Sequence, residues 1–480
     1  MLPKKPSRFL SILSLIALLP LSACVDDKLV LTGERQSIDI ASIDDVRATD
    51  SRIVGGGYRL TRPVSNREWL SSSGGYRRNP PHAKGGTQGK IVFHIKVGAG
   101  TGYATTYPVK LRDRSAPISP RGKANVVNIA PIVADNKIFT IDSRYQISAF
   151  DWKKSSDIPK LKWSYILTDA NNYAYANGGG MAFTKRGGKN GKTPLLLLTT
   201  GYGRVVAFDA NNGDIIFETN LITPIKNAAA ISGRIAIVKT IDGGIYALSL
   251  KNGRKIWQNS GFISDAGSVD AIGFKAGSAP TVAAGRIWVG YISGNVAALN
   301  ASSGSVLWQN GAMKFTVGDD TRYREIIGNM VLDGGVIYAF TFGGDAAAFR
   351  ASNGARLWRK KLATTENPTI DNQTIFIIDA DYNLKSINKS SGNLFWNRIL
   401  DKYLYPGTRS LSLIEWHGPL LVSRQLFLTS SVGKYAFVNA LNGNMIAKGQ
   451  SDIYASDSPP IAAKNTILFV NKKGYLVGIQ

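Results

Sequence analysis

A chain of 480 residues with 44% hydrophobic content and 50 glycines is long enough for two or three ordinary domains or one large repeat ring, and its composition excludes wholesale disorder. A formal charge of +25 draws anionic groups by long-range attraction that salt weakens, yet no recognisable nucleic-acid-binding module accompanies it. The single cysteine excludes an intramolecular disulfide, so stability must come from the core.

Lys4, Lys5 and Arg8 precede an apolar run from Phe9 to Leu19, and Leu21-Ser22-Ala23-Cys24 follows. This reads as a secretion signal, too short to span a bilayer comfortably, ending in a lipobox with Cys24 as the lipidated residue. Val25 rather than Asp follows the cysteine, which by resemblance to enterobacterial lipoproteins permits transfer to the periplasmic face of the outer membrane. An exported, lipid-anchored chain of this charge meets anionic lipid, lipopolysaccharide and acidic partner surfaces before it meets nucleic acid.

Residues 25–88 differ from the rest. Asp26, Asp27, Asp44, Asp45 and Asp50 give way to a basic, Gly/Pro/Ser-rich stretch with Arg62, Arg67, Arg77, Arg78 and Lys84, the composition of a tether with little regular structure. Trp69 with Gly74-Gly75 and His82 marks either a patch that packs on the following domain or part of a solvated linker. From Gly89 to Val97 strand character returns, with Ile91, Phe93, Ile95 and Val97 alternating against Val92, His94 and Lys96.

The stretch from Ala298 to Trp308, Ala-Leu-Asn-Ala-Ser-Ser-Gly-Ser-Val-Leu-Trp, returns in weaker copies along most of the chain. Ala207-Phe208-Asp209 leads to Gly213 and Phe217, Ala247-Leu248-Ser249 to Gly253 and Trp257, Ala348-Phe349-Arg350 to Gly354 and Trp358, and Ser386 through Gly392 to Trp396. Each copy is a hairpin whose turn closes on glycine and whose second strand carries a large ring at a fixed place. The turn glycines recur about every 40 to 50 residues, the period of four-stranded β-propeller blades. A small twisted sheet cannot bury both faces alone, so blades stack around an axis. Trp163, Phe217, Trp257, Trp308, Trp358 and Trp396 are therefore expected to wedge between their own blade and the next, each burying on the order of 150–250 Å².

Inner hairpin strands are expected at Gln146 to Asp151, Arg204 to Asp209, Gly244 to Ser249, Asn295 to Asn300, Asp345 to Arg350, Asn383 to Asn388, Lys434 to Asn439 and Gly474 to Gln480. In the first copy the turn is stretched between Asp151 and Trp163; in the seventh, Gly443 is kept but Ala447 replaces the ring. The last copy stops at Tyr475 to Ile479, one strand short, and the strand from Ile91 to Val97 is expected to complete it, since an unpaired edge invites aggregation. The expectation is an all-β, eight-bladed propeller of four-stranded antiparallel blades over 89–480, behind a signal segment at 1–24 and the tether at 25–88.

Chemistry is sparse. His82, His94 and His417 are far apart, with no carboxylate or cysteine at metal-ligand spacing, so neither a metal site nor a catalytic residue is expected. Gly98-Ala-Gly100-Thr-Gly102 follows a strand but precedes no helix pattern, so it reads as a turn. Lys185, Arg186, Lys189 and Lys192 read as a basic hairpin tip.

The Ala-x-Asp/Asn-x-x-Ser/Thr-Gly-x-x-x-Trp frame resembles the repeat shared by pyrroloquinoline-quinone (PQQ) dehydrogenases and by the BamB family of propeller lipoproteins, over roughly residues 89 to 480. Both families build eight-bladed rings, so the choice rests on other features. The dehydrogenases place the quinone beside a disulfide of adjacent cysteines, a calcium ion and a catalytic Asp; this chain lacks the cysteines and any haem motif and is shorter. The lipobox, the length and Val97-Gly98-Ala99-Gly100-Thr101-Gly102 are similar to BamB. That resemblance implies no cofactor, no enzymatic activity, and a scaffold that docks on the periplasmic domains of a BamA-type assembly pore protein and helps deliver unfolded outer-membrane clients. In the family, the docking loop reads apolar-x-apolar-Arg shortly before Ser-Ala-Pro; here Ile272-Gly273-Phe274-Lys275 precedes Ser278-Ala279-Pro280. The resemblance thus implies that Ile272 and Phe274 fill apolar pockets on the partner and Lys275 meets an acceptor, without the paired hydrogen bonds of an Arg. A family Asp-x-Asp pair falls at Glu325 and Ile327, so half of it is missing. The alternatives are a PQQ-dependent dehydrogenase or a degenerate quinoprotein-like ligand-binding propeller, and an envelope propeller that binds cell-wall polymer or lipopolysaccharide.

Overall fold

A computed structural model describes residues 57–86, 89–99, 129–143, 145–167, 178–260, 278–311, 325–326, 328–341, 344–364, 366–405 and 412–480. Cys24, Ile272, Phe274 and Lys275 lie outside the described residues, as do Gly100 to Gly102 and Ile327.

The strands form eight four-stranded antiparallel sheets, the blades of a β-propeller. Blades 1 to 7 span 132–166, 179–220, 230–259, 281–311, 331–361, 369–399 and 416–450. Blade 8 takes three strands from 461–479 and its fourth from Ile91–Lys96. That strand pairs antiparallel with Tyr475–Ile479, setting Phe93 opposite Gly478 and Ile95 opposite Leu476. No blade is left with the missing strand that the last repeat implied, and the first and last parts of the ring are sewn into one sheet.

The hairpin strands expected to be inner are the third of each blade. The first strands lie closest to the axis, where those of neighbouring blades touch. The fourth form the rim, with Leu161, Ile256, Leu307 and Leu357 exposed. Small residues recur on the third strands because the fourth strand sets a ring against them: Ala149 faces Trp163, Ala207 faces Phe217, Ala247 faces Trp257, Ala298 faces Trp308, Ala348 faces Trp358 and Ser386 faces Trp396. In each blade the register slips by a bulge just after that pair, which aims the ring sideways.

Each ring then leaves its own blade. Trp163 Nε1 donates to the Ala210 carbonyl at 3.2 Å, Trp257 to Ala301 at 3.0 Å, Trp308 to Ala351 at 3.0 Å, Trp358 to Lys389 at 2.8 Å and Trp396 to Ala440 at 3.3 Å, every acceptor lying in the turn of the following blade. The glycine three residues after each acceptor lies under the ring. At Gly304, φ is +72° and a Cβ would sit 2.5 Å from the Trp257 ring; the same close approach recurs at Gly213, Gly253, Gly354, Gly392 and Gly443. Both the left-handed backbone and the space demand glycine there. The motif is therefore half of a contact whose other half lies one repeat earlier.

This accounts for the seventh repeat. Blade 8 has no turn between its third and fourth strands, because the fourth comes from the other end of the ring, so no turn glycine awaits a ring from blade 7. Ala447 stands where the ring would be, and the bulk moves across the pair to Phe437, which faces it and packs, tilted, against Phe427 at 4.7 Å. At the seam between blades 8 and 1 the same exchange occurs: Phe93 covers Gly478 and meets Trp152 edge-on at 6.2 Å, the indole standing in the turn position that Ala occupies in most other blades.

Candidate partner interface

In antiparallel blades the turns alternate between the two faces of the disc. Turns joining first to second and third to fourth strands lie on one face; turns joining second to third strands, and the connections between blades, lie on the other.

The first face is occupied by the chain itself. Residues 57–86 belong to no blade and form only isolated bridges, but they touch the whole ring. Following the chain, Asn66 Nδ2 donates to the Ala462 carbonyl of blade 8 at 3.1 Å, and Trp69 exchanges two backbone hydrogen bonds with Val133 of blade 1, at 2.6 and 2.9 Å. Phe183 N of blade 2 donates to the Leu70 carbonyl at 3.0 Å. Tyr76 packs into the cores of blades 2 to 4, and its carbonyl accepts from Val282 N at 2.8 Å. Leu332 N of blade 5 donates to Arg77 at 3.0 Å, and Asn79 Nδ2 to Asp333 at 3.0 Å. In blade 6, Asp371 accepts from Thr61 N at 2.8 Å. In blade 7, Ala83 bridges Val422 and His82 Nε2 accepts from Arg424 N at 2.8 Å. Lys185, of the expected basic hairpin tip, pairs with Glu68 at 2.7 Å. Trp69, Gly74 and His82, singled out in the sequence, all lie in this segment.

Arg78 is the largest fully buried side chain of the segment, with none of its surface exposed. Its Nε and Nη2 reach the Pro280 carbonyl at 3.2 and 3.1 Å, and Nη1 reaches Ser71 Oγ at 2.9 Å. Burial pushes its pKa down to about 10, so it stays charged at neutral pH. No charge or motif pattern distinguished Arg78 from its neighbour Arg77; only the tertiary contact does.

The second face carries the interblade connections. Residues 261–277, which include Ile272, Phe274 and Lys275, connect blade 3 to blade 4, and the strand ends they join lie on this face. The Ser278-Ala279-Pro280 root is tied to its surroundings: Ala279 N donates to Asn329 Oδ1 at 2.8 Å, Thr281 Oγ1 to the Met330 carbonyl at 2.6 Å, and Pro280 is held by Arg78. Glu325, just before blade 5, is half-buried and lies within the field of Lys239. Lys239 Nζ donates to the Gly290 carbonyl at 2.5 Å and sits 5.9 Å from the Tyr291 ring. Burial lowers its pKa to about 8, against the opposing pull of Glu325. The three histidines are dispersed: His82 in the axial segment, His94 stacked on Tyr475 at 4.3 Å, and His417 beside Glu366 at 3.4 Å. Among the described residues no three or more His, Cys, Asp or Glu gather as a metal site.

A family model described as outer membrane protein assembly factor BamB matches residues 183–398 and 352–480. The outer membrane protein assembly factor BamB of Yersinia pestis is 22% identical over 348 residues, 72% of this chain and 83% of the relative. The corresponding protein of Escherichia coli K12 is 21% identical over 360 residues, covering 73% and 84%. Among solved structures, BamB from Moraxella catarrhalis superposes with a TM-score of 0.59 at 16% identity, covering 82% of this chain and 99% of that one. Quinohemoprotein alcohol dehydrogenase from Comamonas testosteroni reaches 0.60 at 12% identity, covering 91% and 81%, a likeness of fold.

Proposed function

This chain belongs to the family of outer membrane protein assembly factor BamB, and from that premise we propose that it is a non-enzymatic scaffold of outer-membrane protein assembly. It is anchored by lipid on Cys24 to the periplasmic face of the outer membrane. It docks through its interblade-loop face on the periplasmic domains of a BamA-type pore protein, and it assists delivery of unfolded β-barrel clients. The observation that carries the reading is the pairing of the family match with a ring whose opposite face is filled by its own residues 57–86, leaving the face of the 261–277 connection for a partner.

Ile272 and Phe274 are the apolar anchors and Lys275 the polar one; small buried clusters of this kind carry most of the energy of an interface. Glu325, held near Lys239, borders the same face and adds a carboxylate to its rim. The basic surface favours anionic lipid or lipopolysaccharide close to the anchor.

The test is recovery of the pore protein from solubilised outer membranes with the wild type and with Phe274→Ala plus Lys275→Ala. Loss of the partner with an unchanged melting profile is expected; equal recovery moves the docking site elsewhere. Cys24→Ser is expected to release the protein into the soluble periplasmic fraction. The second reading, a PQQ-dependent dehydrogenase, draws on the shared fold alone. Dye-linked dehydrogenase activity after adding PQQ and calcium would establish it.

A further inference from the structure

The segment within 57–86 that circles the axis is held by single main-chain contacts to the first strands of successive blades. From residue 64 to 83 it visits blade 8 at Asn66, blade 1 at Trp69, blade 2 at Leu70, blade 4 at Tyr76, blade 5 at Arg77 and blade 7 at Ala83, at nearly every stop through main-chain hydrogen bonds to a first strand. It then closes on itself: Val64 N donates to the His82 carbonyl at 2.9 Å and Lys84 N to the Val64 carbonyl at 2.8 Å. Two side chains anchor it, Trp69 at 2% exposure and Arg78 at 0%. Main-chain pairing along a sheet edge, with a few side chains in pockets, is the general chemistry of peptide capture by β-sheets. The ends of the loop are thus tied to each other as well as to the chain that continues into the closing strand.

We infer that the first-face mouth of this ring is a peptide-binding site whose resident ligand is the protein's own segment 64–83. The ligand class is a peptide with a tight turn, such as the one at Ser71–Gly74, between an indole and a guanidinium at the spacing of Trp69 and Arg78. The site is separate from the interblade-loop face and does not rest on the docking reading given above.

The experiment uses the full chain with a specific protease site inserted between Gly86 and Gly89. After cleavage the N-terminal fragment is expected to co-elute with the folded ring in gel filtration. A fluorescent synthetic peptide of residues 57–86, added in excess, is expected to exchange into the mouth with a rise in anisotropy. The same peptide with Trp69→Ala and Arg78→Ala is expected to bind at least about tenfold more weakly, since buried aromatic and arginine anchors dominate such sites. Immediate loss of the fragment from a ring that keeps its circular dichroism overturns the inference, because the contacts then have too little affinity to make a site. Unfolding on cleavage, or a retained fragment that never exchanges, also overturns it, because the segment is then a fixed part of the fold. Equal binding of the two peptides removes the assigned anchors and with them the ligand class.

Discussion

The blades and the axial segment solve one problem, holding eight sheets in a circle, by opposite means. Between blades the contact is periodic: a ring on the fourth strand of one blade meets a glycine and a carbonyl in the turn of the next, and the same residue types repeat at the same places. In the axial segment nothing repeats. Asn66, Trp69, Tyr76, Arg78 and His82 each make a different contact with a different blade. A periodic contact writes itself into the sequence several times, whereas a contact made once leaves only a composition.

If the ring contacts bear the load, removing one of them should have the largest effect. Trp396→Ala deletes the side chain that covers Gly443 and donates to Ala440 and, at 2.8 Å, to Tyr58 of the axial segment. A loss of ~3–5 kcal/mol is expected in chemical denaturation. Next comes the other half of the contact. Gly304→Ala and Gly285→Ala both place a Cβ on a left-handed backbone, at φ +72° and +73°, but only Gly304 lies beneath a ring, while the space around Gly285 is open. Gly285→Ala should cost ~1–2 kcal/mol from backbone strain. Gly304→Ala should cost a further ~1–3 kcal/mol from overpacking. Equal losses at the two positions would show that strain, not ring docking, conserves stability there.

The axial segment should respond locally. Arg78→Met removes the hydrogen bonds to Pro280 and Ser71, a local loss of ~1.5–3 kcal/mol for bonds from a charged donor. Hydrogen exchange should quicken at the amides of Phe183, Val282 and Leu332, which donate to the segment, while exchange in the blade 6 core stays as in the wild type. Faster exchange throughout the ring would erase the distinction between the two regions.

The smallest effect expected is on pH dependence, and the two regions should differ in sign. Burial lowers the pKa of His82, with the Arg424 charge adding to this and the Asp371 charge opposing it. The unfolded chain therefore binds the proton more readily, and the segment should lose stability as pH falls below the ordinary value of about 6.5 toward the folded pKa. Protonation would also end the bond that Nε2 accepts from Arg424 N. At His417 burial again lowers the pKa, but the hydrogen bond and charge of Glu366, with the charges of Asp457 and Glu415, outweigh it and raise the net value. Its contribution is complete below about 6.5 and lost as pH rises through the folded pKa. The protection of Arg424 N from exchange, taken relative to the intrinsic rate at each pH, should fall toward acid; unchanged protection would show that His82 does not hold the segment.

Much of the ring was legible. The strands from Arg204 to Asp209, Asn295 to Asn300, Asp345 to Arg350 and Asn383 to Asn388 stand where the repeat put them, and the strand from Ile91 closes blade 8. Their alternation and turn chemistry are local, so they can be read from neighbours in the chain. What Ala447 does was not legible, because its cause is the missing turn of another blade. The docking role proposed for Ile272, Phe274 and Lys275 rests on a resemblance of motif, and among the described residues the structure adds only the anchored root at Ala279 and Pro280.

The amino-acid sequence alone pointed to the repeated four-stranded blade and to the six rings from Trp163 to Trp396, because these follow from patterns that complete themselves within about one repeat length, and the one strand missing from the last repeat pointed to the strand that closes the circle. Only the tertiary structure decided that residues 57–86 fill one mouth of the disc, that Arg78 rather than Arg77 is the buried one, and that Phe437 carries the bulk for Ala447. Those outcomes depend on which distant carbonyls and cavities meet a side chain once the ring has closed, and no local periodicity encodes such a meeting.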